Sequence, residues 1–127
     1  MRVKAHCRIS DNTALAAQHP DWCQRDRDGR PRAALCLNSQ YVAKVIWPWM
    51  TRALGDAACD GLDFEISPAT SAPCWCEACT QHIRDGGQKT DDEPTRAQFA
   101  CGSLKRFKDE TQTYAEAVRP GTKVTFR

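Results

Sequence analysis

No stretch of this sequence approaches the roughly 18 consecutive apolar residues that a membrane-spanning helix needs, so no membrane span is expected. Charge of one sign is missing too. The 18 Lys and Arg residues are interspersed with 16 Asp and Glu, for a net charge of +2. No basic stripe of the kind that tracks a phosphate backbone results, and nucleic acid is not an expected partner. The densest basic stretch, Lys105-Arg106-Phe107-Lys108, runs straight into Asp109-Glu110 and reads as a solvated helix face. Internal repeats and low-complexity tracts are absent. The first residues, Met1-Arg2-Val3-Lys4-Ala5-His6, carry neither an apolar leader nor a small-residue cleavage site, which leads to the expectation of a cytoplasmic location.

What the chain has in excess is cysteine: eight in 127 residues, a length sufficient for one domain with a core. Disulfides or metal ligation could explain the number, and spacing separates them. Cys74, Cys76 and Cys79 fall within a few residues of one another, too close for a ladder of bridges but well placed to surround one ion. A tetrahedral zinc site needs a fourth S or N ligand. Spacing leaves Cys36, Cys23, Cys59, Cys101 and His82 all open. The plain alternative is reduced thiols in a loop, or one disulfide and a spare.

The order of elements is legible from periodicity and punctuation. Val3–Ile9 is short and rich in small and β-prone residues, a strand. Ser10–Asn38 reads as a long loop, punctuated by Asp11-Asn12, His19-Pro20, Asp28-Gly29 and Arg30-Pro31, with room for a short helix at Asn12–Gln18. Ser39 suits a helix N-cap. Beyond it, Tyr41, Val42, Val45, Ile46, Trp49, Met50, Ala53 and Leu54 make one apolar stripe that ends near Gly55, with Pro48 expected to kink the helix. In Cys59–Ser67, Leu62, Phe64 and Ile66 alternate with Asp63 and Glu65, a strand pattern. A Pro- and Cys-rich loop over 68–79 leads into a short helix that ends at Gly86-Gly87. A long helix over Glu93–Val118 follows, with Phe99, Leu104, Phe107, Tyr114 and Val118 as its expected inner face, then a strand over Thr122–Phe126.

Strands alternating with helices imply an α/β fold of parallel strands joined by helical crossovers. A doubly wound sheet and part of a (β/α)8 barrel both fit. A whole TIM barrel needs about 250 residues, so this chain supplies about three of its eight strands. Both ends stop at strands, as a cut through a larger fold would. The exposed edges of such a partial sheet invite association, so a homo-oligomer is an expected form.

Two resemblances narrow this. Leu35-Cys36-Leu37-Asn38-Ser39, a helix, a strand ending in a carboxylate, and then Cys-x-Cys-x2-Cys is similar to the zinc-containing family 42 β-galactosidases. That likeness implies Cys36, Cys74, Cys76 and Cys79 as ligands of a structural zinc and leaves Cys7, Cys23, Cys59 and Cys101 as buried free thiols. A second likeness covers nearly the whole chain. His19-Pro20-Asp21-Trp22, Arg25-Asp26-x-Asp28-Gly29, the Trp47-Pro48 helix and Asp60-Gly61-Leu62-Asp63-Phe64-Glu65 resemble hypothetical glycosyl hydrolases related to α-L-fucosidases. Those proteins carry a Cys-Tyr-Cys-Pro-x-Cys segment where this chain has Cys74-Trp75-Cys76-Glu77-Ala78-Cys79. The implied fold is a partial TIM barrel over residues 1–127, about its third to fifth strands, with a Cys-rich zinc loop at 68–82. The implied function is hydrolysis of an O-glycosidic bond in a galactoside- or fucoside-like carbohydrate.

Glycoside hydrolysis uses two carboxyl groups that flank the scissile bond. Glu65 stands at the C-terminal end of a strand, where a barrel houses catalysis, and is the candidate catalytic residue. The resembled galactosidases place their acid/base Glu there after an Asn, whereas Phe64 precedes Glu65 here. The fucosidase-like proteins place an Asp nucleophile there. Asp63 shares the side-chain parity of Glu65, and repulsion between the two could raise one pKa. His6, Asn12, Asp63, Trp22 and Trp75 are the candidate sugar-binding residues, the tryptophans as stacking platforms. The plain alternatives are a strand-end ion pair for Glu65, an internal salt bridge for Asp63, a core imidazole for His6 and a core cap for Trp22. The rival function is a non-enzymatic zinc-binding interaction module. A thiol oxidoreductase is disfavoured, because Cys76-x2-Cys79 lacks thioredoxin-like flanks.

Overall fold

A computed structural model describes residues 3–127. Met1 and Arg2, with which the expected leaderless start begins, lie outside the described residues. Three parallel strands form the main sheet in the spatial order β1 (Lys4–Ile9), β4 (Gly61–Ile66), β5 (Lys123–Phe126). The register pairs Ala5 with Leu62, His6 with Asp63 and Arg8 with Glu65, and, on the other side of β4, Leu62 with Val124 and Asp63 with Thr125. The expected α/β class is met as a mixed fold of parallel strands and helices.

Because side chains alternate along a strand, this register sorts the sheet into two unlike faces. Ala5, Cys7, Ile9, Leu62, Phe64, Ile66, Val124 and Phe126 belong to the apolar core or pack against it. Phe64 is its centre, fully buried among Trp49, Phe107 and Phe126 with ring centroids at 5.7, 6.1 and 5.6 Å. Helices α2 (Trp47–Leu54) and α4 (Glu93–Val118) supply two of those rings, so both lie on this face. His6, Arg8, Asp63, Glu65 and Thr125 occupy the opposite parity. Gly61 is needed where β4 meets β5: a Cβ there would stand 2.5 Å from the Lys123 carbonyl oxygen.

The apolar stripe anticipated for the first long helix is buried as expected at Tyr41, Val42, Ile46, Met50 and Leu54. Ser39 Oγ accepts from Tyr41 N at 3.2 Å and donates to the Cys36 carbonyl at 2.6 Å, in keeping with its capping character. Pro48 disturbs the helix differently from a simple kink. Val42–Ile46 is wound as a π-helix, with Trp47 N donating to the Val42 carbonyl, and α-helix continues directly from it at Trp47, so the wide turn falls just before the proline that has no N–H to give.

The short helix anticipated inside the long loop over Ser10–Asn38 is present, and the rest of that loop is corrected. The segment contains α1 (Thr13–Gln18), capped by Asn12, then a 3-10 turn at Pro20–Trp22 and an antiparallel hairpin of β2 (Cys23–Arg25) and β3 (Pro31–Leu35). The turn residues that looked like loop punctuation close the hairpin. Asp26 Oδ1 accepts from Asp28 N and Arg30 N, and Gly29 takes a positive φ of 84°. Ser10, which leads out of β1, is fully buried in the left-handed region at φ 69°.

The inner face of α4 is met at Phe107, which is buried in the core, and corrected elsewhere. Arg96, Ala100, Ser103, Phe107, Thr111 and Ala115 are buried along it, while Phe99, Leu104 and Tyr114 flank the stripe and Val118 is exposed. Small side chains at the contact let the helix axis approach its neighbours, so the bulky residues are displaced to the sides. No helix of the described residues is long and apolar enough to cross a membrane.

Candidate metal centre and carboxylate rim

Cys36 leaves the end of β3, and the hairpin carries it to the knuckle. Cys36 N bonds the Trp22 carbonyl at 2.8 Å, Trp75 N bonds the Arg25 carbonyl at 2.9 Å, and the Arg32 guanidinium donates to the Pro73 carbonyl at 2.7 Å. Helix α3 (Glu77–Asp85) starts inside the knuckle: Cys76 is its N-cap, with Sγ accepting from Cys79 N at 3.4 Å. As a result the sulfurs of Cys36, Cys74, Cys76 and Cys79 all lie within 4.8 Å of one another, and all four residues are buried. Cys36 Sγ is 3.4 Å from Cys79 Sγ and 3.7 Å from Cys76 Sγ.

A tetrahedral zinc with Zn–S bonds near 2.3 Å requires sulfur–sulfur edges of about 3.8 Å, so the donor set fits such an ion by number, type and spacing. Hydrogen bonds among the four sulfurs push the Cys36 and Cys79 thiols up and hold Cys74 and Cys76 down, as expected of thiols packed close enough to compete for protons. A divalent cation relieves that conflict by accepting all four as thiolates. Further donors already point at sulfur. Asn38 N reaches Cys36 Sγ at 3.4 Å and Asn38 Nδ2 reaches Cys79 Sγ at 3.5 Å, with the Asn38 side chain anchored by Ser103 and Arg106.

The other candidate ligands lie elsewhere. His82 stacks on Phe99, Cys23 is buried against the Ala16 carbonyl, and Cys59 is buried against the Gly61 carbonyl. Cys101 is exposed and Cys7 half-buried, so the expectation of four buried spare thiols holds for only two. Helix α4 turns Cys101 outward, one position beyond the buried Ala100.

The second cluster sits on the polar face of the sheet, toward the C-terminal ends of β1, β4 and β5. Arg8 Nε meets Glu65 Oε2 at 2.9 Å and a second Arg8 nitrogen lies 3.5 Å from Asp11. Arg127 grips Asp63 at 2.6 and 3.2 Å, and Thr125 Oγ1 donates to it at 2.8 Å. His6 stands between the acids, Nδ1 at 3.1 Å from Asp63 and Nε2 at 3.6 Å from Glu65. The anticipated repulsion between Asp63 and Glu65 is overturned. The Arg127 guanidinium, with Thr125, holds the Asp63 carboxyl down at about 2, and the Arg8 guanidinium holds the Glu65 carboxyl below its usual range. Each acid is ionised because a cation from a neighbouring strand outweighs the acid beside it.

Glu65 remains open, its side chain 44% exposed, and a shallow pocket lined by Arg8, Asp11, Glu65, Ile66, Ser67 and Pro68 adjoins it. The other candidate sugar-binding residues are dispersed. Asn12 Oδ1 caps α1 by accepting from Leu15 N at 3.0 Å. Trp22 is buried and stacked on His19 with ring centroids 3.7 Å apart. Trp75 lies in the metal loop with the Arg96 and Arg27 guanidinium carbons 4.1 and 5.0 Å from its ring centre. Arg8 and Arg127 were missed in the sequence. Arg8 has the strand parity of His6, which was the one available signal; the meeting of Arg127 with Asp63 depends on a register that no local pattern encodes.

These features define a mixed α/β fold of consecutive parallel strands, with a cysteine cluster competent to bind a metal ion. No family model matches the chain, and no curated protein matches it in sequence. Among solved structures the fold is similar to that of α-L-fucosidase isoenzyme 2 from Paenibacillus thiaminolyticus, with a TM-score of 0.82 and 16% identity, over 100% of this chain and 20% of that one. At that identity the likeness is one of fold, and the chain spans about a fifth of the length of the protein it matches.

Proposed function

We propose that this chain forms about three consecutive β/α units of a (β/α)8-barrel glycoside hydrolase, a single partial domain over 1–127, with a structural zinc at Cys36, Cys74, Cys76 and Cys79. The observation that carries the reading is the charged cluster of His6, Asp63, Glu65, Arg8 and Arg127 at the C-terminal ends of parallel strands, on the sheet face opposite α2 and α4. Parallel sheets are ordinarily covered on both faces. A barrel covers one face of its strands with helices and turns the other to the lumen, whose C-terminal rim is where charged side chains at strand ends form an active site. The strand order β1-β4-β5 advances in one direction, as successive strands around a barrel do.

Glu65, accessible and held ionised by Arg8, is suited to act as nucleophile or general base rather than as proton donor. Asp63, locked by Arg127, positions His6, which together with Asn12 and Trp75 belongs to the proposed carbohydrate-binding set, whereas the buried Trp22 caps the core. The zinc fastens the loop after β4 to the hairpin. Four cysteinate ligands leave no open coordination position, so metal hydrolysis is not its task. The substrate is a galactoside- or fucoside-like carbohydrate, and the second carboxylate comes from another strand of the barrel. On this reading the chain alone turns over little substrate.

The test is hydrolysis of aryl fucosides and aryl galactosides by this chain and by a longer form carrying the full barrel. In the longer form, Glu65→Gln should lower kcat by at least a thousandfold while zinc content is unchanged. Full turnover by the 127-residue chain, or an unaffected Glu65→Gln enzyme, would refute the assignment. The second reading, a non-enzymatic zinc-binding module using the knuckle as an interaction surface, is favoured by the cysteine cluster alone and would be indifferent to Glu65.

A further inference from the structure

Arg96 is 3% exposed, and among the described residues no carboxylate lies within ion-pair distance of it. Its guanidinium instead donates to the Cys74 carbonyl at 2.8 Å, to the Thr90 carbonyl at 2.8 Å and to Thr80 Oγ1 at 2.9 Å, with the Trp75 ring against it. A buried cation without an anion is costly, and arginines inside proteins are ordinarily paired. Every neighbour it touches belongs to the cysteine loop, to α3 or to the linker before α4. A divalent ion held by the four thiolates would supply negative charge beside it, with a net charge of −2.

We infer that Arg96 is a charge-compensating positioning residue for the metal centre, and that it ties loading of the metal to the docking of α4. The inference rests on the metal-site reading above and adds a residue that offsets half of the site's charge. Held by the Cys74 carbonyl, the guanidinium sits beside one ligand of the cluster, in a buried region where opposite charges interact strongly. Its other two bonds fasten Thr80 in α3 and Thr90 before α4, so the site that needs the cation also orders the segment leading into the long helix. Asn38 and the N-terminus of α3 supply partial positive charge to the same sulfurs, but Arg96 is the full charge.

The consequence is a stability effect whose size depends on the metal. Loaded protein should be destabilised by Arg96→Met, because a dianionic centre loses its counter-ion. Chelator-stripped protein, which lacks the dianionic centre, should be much less affected, because the same substitution removes an unpaired buried cation. Zinc affinity measured by competition with a chromogenic chelator should fall about 10- to 100-fold in Arg96→Met, the usual cost of losing an outer-shell partner. It should recover in large part in Arg96→Lys, which keeps the charge without the fork. Arg27→Gln, at the other guanidinium near Trp75, is the control and should change affinity less than threefold.

Thermal melts of loaded and stripped protein, with cobalt substituted as a spectroscopic probe of thiolate coordination, complete the experiment. Equal destabilisation of both forms by Arg96→Met, or equal affinity losses in the Lys and Met variants, would overturn the inference. If Arg96→Met does not fold in either form, Arg96→Lys decides: affinity within threefold of the parent supports charge compensation, and a loss of tenfold or more overturns it. Should the unmutated chain bind neither zinc nor cobalt, the metal-site reading itself fails, and that outcome is separate from binding that ignores Arg96.

Discussion

Removing the metal should unfasten the hairpin from the knuckle, and the size of the effect follows from chain entropy. Cys36 and Cys76 stand 40 positions apart in sequence. A cross-link that closes a loop of that size removes about 4 kcal/mol of conformational freedom from the unfolded chain. A 127-residue domain has an unfolding entropy of about 270 cal/mol/K near its midpoint, so 4 kcal/mol corresponds to a shift in Tm of about 15 °C. Cys36→Ser sharpens the test. The three remaining knuckle cysteines can still hold an ion, but they close only a short local loop worth about 2 kcal/mol. The zinc-minus-chelator difference in Tm should therefore shrink to about 7 °C or less. Cys101→Ser, at an exposed thiol, should leave the full difference intact. Scanning calorimetry of the three proteins with saturating zinc and with a strong chelator measures this. A Cys36→Ser protein that keeps the whole zinc-dependent shift would refute the long-range cross-link.

Three further outcomes are expected. Gly61→Ala should destabilise by about 1–3 kcal/mol in urea titration, since its Cβ would collide with the Lys123 carbonyl across the β4–β5 seam; an unchanged midpoint would mean the seam is looser than described. Asp63, held at about 2 by Arg127 and Thr125 against about 3.9 in an unfolded chain, contributes stability that is fully present above pH ~4 and is lost as pH falls toward 2. Asp63→Asn should flatten that part of the acid-unfolding profile, and parallel profiles would sink the argument. Ser10→Gly should be at least as stable as the parent by thermal melt, because it relieves a left-handed φ of 69° costing about 1 kcal/mol and removes a buried hydroxyl with no hydrogen-bond partner. Ser10→Val should be clearly less stable.

Several features were legible without coordinates because they are written at short range. The alternation of Leu62, Phe64 and Ile66 with Asp63 and Glu65 identified a strand with unlike faces. The paired apolar positions from Tyr41 to Leu54 identified a buried helix stripe, and the knuckle spacing singled out Cys74, Cys76 and Cys79. The hairpin inside 10–38 was not legible, because its strands are short and its turn residues also mark loops. The inner face of α4 was misjudged for a related reason: periodicity finds large apolar residues, whereas a close helix contact selects Ala100, Ser103 and Ala115.

By itself, then, the amino-acid order determined the strands of the main sheet, the helices and which residue types carry chemistry, since backbone preference and apolar periodicity act over a few residues. Tertiary structure alone decided what those residues meet. The register that sets Arg8 on Glu65 and Arg127 on Asp63 keeps both acids ionised where repulsion had been expected. The docking of α4 slides an unpaired guanidinium beside the cysteine cluster. Charges interact through space, and positions far apart in the chain become neighbours only once the sheet and its crossovers have formed.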